Sequence, residues 1–223
     1  MQYRRAVLAA AAISFVACMI IPHAGLTETI TVPRTGEYAK IDIRLLNETM
    51  QILTSGSDAE KAKTIQAIKA TPAIYPPPVF YALSHVIFKE GDRVEGAFWF
   101  YVGQLRARFD ANRCADVSAR QAVAVLNQRY GPLINQYTFA NLPILEGLVP
   151  RVLEWDKLTP HTYDHRWINI HGMGAIITGM DGDDKKSALS LPEAQWAEIK
   201  EKTRSDYLRG FQEAMAEMKK RKQ

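Results

Sequence analysis

Cysteine is the scarcest informative residue in this 223-residue chain: only Cys18 and Cys114 are present. One pair at most cannot staple a small, core-poor scaffold, so stability has to come from a buried apolar core. An excess of one charge is also lacking. The formal net charge is +4, and it falls to +2 without Arg4 and Arg5. That is too small for the electrostatic footprint of a nucleic-acid binder. The longest N-terminal apolar stretch, Ala6 to Ile21, has 16 residues, short of the roughly 20 of a membrane-spanning helix. No phosphate-binding glycine loop, Ser-His-Asp order or paired-carboxylate signature occurs. These absences remove motif-based routes to an activity, although catalytic groups are defined by geometry and not by chain order.

The N-terminus has a positive character of its own. Arg4 and Arg5 precede the uncharged, alanine-rich stretch Ala6 to Ile21. A basic start followed by a short apolar run has the form of an export signal. Phe15-Val16-Ala17-Cys18 resembles a bacterial lipoprotein signal, in which a small residue precedes a cysteine that becomes lipidated; Phe15 stands where Leu is usual. The expected organisation is a signal at 1–17, lipidation at Cys18, a tether at 18–38, one helical domain at 39–218 and a basic tail at 219–223. Cleavage elsewhere, an uncleaved anchor and a buried N-terminal helix stay open. The expected location is the periplasmic side of a bacterial membrane, attached through lipid or the N-terminal segment. With Cys18 lipidated, Cys114 is a lone buried hydrophobe at a helix start. Without lipidation, a Cys18–Cys114 bridge is an alternative in an oxidising compartment.

The fold class expected from periodicity is all-α or mainly α, an irregular multi-helix domain around one αα-hairpin. Ile41, Leu45, Leu46, Met50 and Leu53 recur at helical spacing up to Gly56. Ser57 and Glu60 form a capping box for a helix reaching about Ala70. Pro76, Pro77 and Pro78 predict an extended connector packed on its own domain. Helices follow from Val79 to Lys89 and from Arg93 to Phe109, joined by a tight turn at Gly91. Phe98, Trp99 and Phe100 make the second helix apolar on several sides, which predicts a central position. The next helix is expected from Ser118 to Tyr130 and to stop at Gly131-Pro132. A bent or two-piece helix is expected over 141–157. Trp167 to Ile170 is strand-like, and Gly172, Gly174, Gly179 and Gly182 predict loops. A long last helix is expected to be capped by Ser190, with Pro192 in its first turn.

The hairpin over 78–110 resembles Sel1-like and tetratricopeptide-type proteins through Ala82-Leu83, Gly91, Ala97 and Trp99-Phe100-Tyr101. That resemblance implies a helical body that binds another protein, and some toxin-immunity lipoproteins look similar. The expected role is a non-enzymatic interaction protein with a protein partner in the periplasm or envelope and no cofactor. Tyr101, Arg106, Arg108, Arg113 and Arg120 are the expected contacts. The alternatives are a metal-dependent or hydrolytic enzyme centred on 161–184, with His161, Asp164, His165 and His171 as the polar or zinc cluster, and a structural envelope lipoprotein. Asp181, Asp183 and Asp184 are reminiscent of a calcium loop but read better as a solvated turn, because Pro192 falls at the position of the distal ligand.

Overall fold

Helical periodicity and proline position account for most of the architecture. The computed structural model describes residues 32–181 and 188–221. Among them are nine α-helices: α1 (Gly36–Ala39), α2 (Arg44–Ser55), α3 (Asp58–Ala70), α4 (Pro77–Lys89), α5 (Arg93–Arg113), α6 (Gln121–Ala140), α7 (Leu142–Leu158), α8 (Met173–Asp181) and α9 (Trp196–Arg221). The described residues contain no strand, only one isolated antiparallel bridge between Cys114 and Ser190. The all-α expectation is therefore met.

The hairpin at the centre is α4 with α5. Gly91 takes φ 108, a left-handed conformation that L side chains disfavour, and turns the chain there. The Asp92 carboxylate accepts from the Glu95 amide at 3.0 Å and caps α5. Small residues let the two helices approach: a Cβ on Gly96 would sit 2.7 Å from Phe88 Cβ. Helix α5 is buried on nearly every side, its charged Arg106, Asp110 and Arg113 included, and α4, α6, α7 and α9 pack against it. Val79, Phe80, Leu83, Ala97, Phe100 and Val102 are fully buried in this core. Phe80 stacks on Trp99 at 5.5 Å between ring centroids, and the Trp155 ring meets both edge-on.

Several local expectations are corrected. Pro77 and Pro78 do not extend the connector; they form the first turn of α4, where a missing amide hydrogen costs nothing, and both are buried. Helix α6 does not stop at Gly131-Pro132 but continues to Ala140. Tertiary packing on both sides of Pro132 offsets its missing hydrogen bond: Gly131 lies against the Phe100 ring, and Ile134 and Thr138 beyond it are buried. Helix α7 is one piece through Pro150. Residues His165–His171 form a 3₁₀ helix, not a strand, and Trp167, Ile168 and Asn169 are all buried, a pattern that strand alternation does not allow.

The glycine-rich region contains α8 where loops were expected. Its glycines serve close approach: a Cβ at Gly174 would collide with the Tyr38 hydroxyl, and one at Gly179 with the Pro33 carbonyl. Ser190 does not cap the last helix. It bridges Cys114, with Leu191 N donating to Arg113 O at 2.8 Å, and α9 begins at Trp196 after a short 3₁₀ turn at Glu193–Gln195. From Val32 on, the chain is one compact unit, so the described part of the segment read as a tether belongs to the domain. The helical part of the basic tail runs to Arg221. Cys18 and most of the aspartate-rich turn lie outside the described residues.

Candidate functional site

The residues read as a histidine cluster are held in separate neighbourhoods. His161 Nε2 lies 2.9 Å from Asp156 Oδ1. His165 Nε2 meets Ser190 Oγ at 2.8 Å, and its ring packs edge-on to Trp196. His171 lies against the Trp167 ring. Asp164 caps the 3₁₀ helix, accepts from the Asp42 amide at 3.1 Å and pairs with Arg166 at 2.7 Å. Among the described residues, no three His, Cys, Asp or Glu side chains are arranged to hold a metal ion. The four side chains of the possible polar or zinc cluster therefore have different partners; His165 and His171 lie in the 3₁₀ turn, while His161 and Asp164 precede it.

What occupies the interior is a charge network that crosses the bundle. Asp156 on α7 accepts from Arg106 Nε at 3.1 Å and Arg204 Nε at 2.9 Å, in addition to His161. Asp110 on α5 accepts from Arg113 at 2.6 Å, Tyr163 Oη at 3.0 Å and Trp167 Nε1 at 2.7 Å. Arg106, Asp110 and Asp156 are buried almost completely. Burial alone would raise the Asp156 carboxyl, but the His161 hydrogen bond and the Arg106 and Arg204 charges outweigh it and hold the group below its ordinary range. Burial lowers His161, with the Arg106 charge adding to it against the pull of Asp156. A neutral His161 carrying its proton on Nε2 donates to the ionised Asp156, which fits both directions. Every buried carboxylate oxygen here already has a donor, so the network ties α5, α7, α9 and the 165–171 turn together and presents no free base.

The five expected partner contacts divide into two groups. Tyr101, Arg106 and Arg113 are buried and are corrected as surface contacts. The Tyr101 hydroxyl bonds Thr138 Oγ1 at 2.7 Å, and the two arginines are spent on Asp156 and Asp110. Arg108 and Arg120 are exposed and line one groove of about 410 Å³ between α5, α6 and α9, with Asn112, Asn127 and Thr203. Neither of these two arginines makes an ion pair among the described residues. Asp206, the one carboxylate lining the groove, is engaged by Lys202 at 2.8 Å and Arg209 at 2.7 Å.

Two surfaces escaped the sequence reading. A cleft of about 520 Å³ lies between α2, α3, α4 and α6, where Lys61, Lys89 and Arg129 are balanced in part by Asp58 and Glu90. Burial and two of those cations lower its His85. The second is the outer side of α8, whose Met173, Ile176, Ile177 and Met180 are exposed. Their i, i+3, i+4, i+7 spacing was a readable signal, masked by the interleaved glycines. No protein-family model matches the chain, and no curated protein or solved structure matches it either.

Proposed function

We propose that this chain is a non-enzymatic binding protein of the bacterial envelope. It is attached through its N-terminal segment and holds an acidic surface of another protein in the groove between α5, α6 and α9. The observation that carries the reading is the pair of exposed arginines, Arg108 and Arg120, in one groove with amide and hydroxyl side chains and no ion partner among the described residues. Guanidinium groups present rigid donor forks suited to carboxylates, and two that share a groove favour a partner with acidic side chains. Export and attachment rest on Arg4, Arg5, the apolar stretch that follows and Cys18. Immunity to a toxin that enters the periplasm is one form this function takes, in keeping with the hairpin resemblance.

The test compares wild type with an R108E/R120E variant, each captured from native membranes under mild detergent. Both replaced side chains are exposed, so the variant is expected to keep its helix content and melting temperature. Recovery of one stoichiometric protein with wild type and at least tenfold less with the variant supports the proposal. Equal recovery of the same protein with both removes the groove from the account.

A further inference from the structure

Surface helices of folded domains turn large apolar side chains inward, and α8 does the reverse. Its sequence, Met173 to Met180, carries no charge. The side facing the domain is built from small residues: Ala175 is buried among Tyr38, Ile41 and Leu189, and Gly174 and Gly179 touch Tyr38 and Pro33. The four large side chains point the other way, with Met173 54 %, Ile176 40 %, Ile177 53 % and Met180 73 % exposed. Residues at i, i+3, i+4 and i+7 share one helix face, so these form a single apolar stripe two turns long.

The chain's own course indicates what meets this stripe. Val32 and Pro33 lie directly on α8 at Gly179, and Thr35 Oγ1 donates to the Thr178 carbonyl at 3.0 Å. The polypeptide therefore joins the domain beside the apolar stripe. Before Val32 come 31 residues that include the uncharged run Ala6 to Ile21 and Cys18. The ten residues between Ile21 and Val32 reach at most about 35 Å when extended, so an anchor in that run keeps α8 close to the bilayer.

We propose that the outer face of α8 inserts into the interfacial layer of the membrane next to the attachment point, as a second, peripheral contact that fixes the orientation of the domain. The occupant is the acyl-headgroup boundary of a lipid bilayer. This inference rests on the reading of the N-terminal segment as a membrane attachment. From Asp181, the last residue of α8, the sequence supplies Asp181, Asp183 and Asp184 against Lys185 and Lys186, so insertion is driven by apolar burial and does not need anionic lipid.

The experiment reconstitutes the full chain in neutral phosphatidylcholine vesicles. An environment-sensitive dansyl amino acid is placed at Ile177 or, as a control, at Leu158, an exposed residue at the end of α7. With brominated acyl chains in the vesicles, the expected result is at least twofold quenching and a blue shift at 177, little change at 158, and no effect of 1 M salt on either. Flotation with the vesicles but no quenching at 177 overturns the inference and leaves the attachment standing. Equal quenching at both positions overturns it as non-specific adsorption. A dye at 177 already shielded before vesicles are added overturns it in favour of a protein covering, with sedimentation separating a second copy from the chain's own segment. Failure to float overturns the attachment and the inference together.

Discussion

Asp156 is the residue on which the interior depends most. It is 2 % exposed and accepts from Arg106, Arg204 and His161. Removing one partner of a buried ion pair leaves an uncompensated charge and costs about 3–5 kcal/mol. Asp156→Ala is accordingly expected to lower the unfolding free energy from urea titration by that amount; a change under about 1 kcal/mol would show that the network contributes nothing to stability. The histidines set the pH response. Burial and the Arg113 charge push His165 down to about 4 from its ordinary 6.5, and burial also lowers His161. A group with a depressed folded pKa takes its proton first in the unfolded chain. Stability is therefore full above pH 6.5, declines as pH falls from 6.5 to about 4, and declines further as Asp156 is protonated below its ordinary 3.8. Melting temperatures from pH 8 to 4 check this, and His165→Asn is expected to flatten the upper part of the slope. An unchanged slope in that variant would assign the pH response to other groups.

At the scale of elements, legibility followed the range of the interactions. The Ser57–Glu60 capping box, the Gly91 turn and the aromatic crowding of α5 are local or periodic signals, and each predicts what is observed. The passage of α6 through Pro132 is not legible, because the contacts that stabilise it come from Phe100 and Tyr101 on another helix. Glycine misleads in one region. Gly174 and Gly179 read as loop residues but are helical positions that admit a neighbouring chain. Among the site residues, Asp110 and Arg113 were near enough in sequence to be paired, whereas Arg106 and Asp156 are 50 positions apart and meet only through folding. The α4–α5 contact offers a direct check. A methyl at Gly96 would meet the Phe88 backbone at 2.8 Å. Gly96→Ala is expected to destabilise by about 1–3 kcal/mol through overpacking, despite alanine's better helix propensity. A gain in stability on urea titration would mean that the two helices separate easily.

For the molecule as a whole, the charged interior and the exposed grooves divide the work. The network of Asp110, Asp156 and their arginines binds the helices to one another and keeps Arg106 and Arg113 off the surface. That division explains why arginines close in sequence have opposite fates. Arg106 and Arg113 face inward and are paired, while Arg108 faces the groove beside the Tyr207 ring at 5.4 Å and is joined there by Arg120. Under the proposed function, the groove that holds Arg108 and Arg120 is where the partner binds. The most direct test is photo-crosslinking in intact cells, with a photoreactive residue at Ala124, which is exposed and lines that groove. The account predicts one adduct of discrete added mass that disappears in the R108E/R120E background. Adducts of no discrete mass, or an adduct unaffected by the two charge reversals, would contradict it.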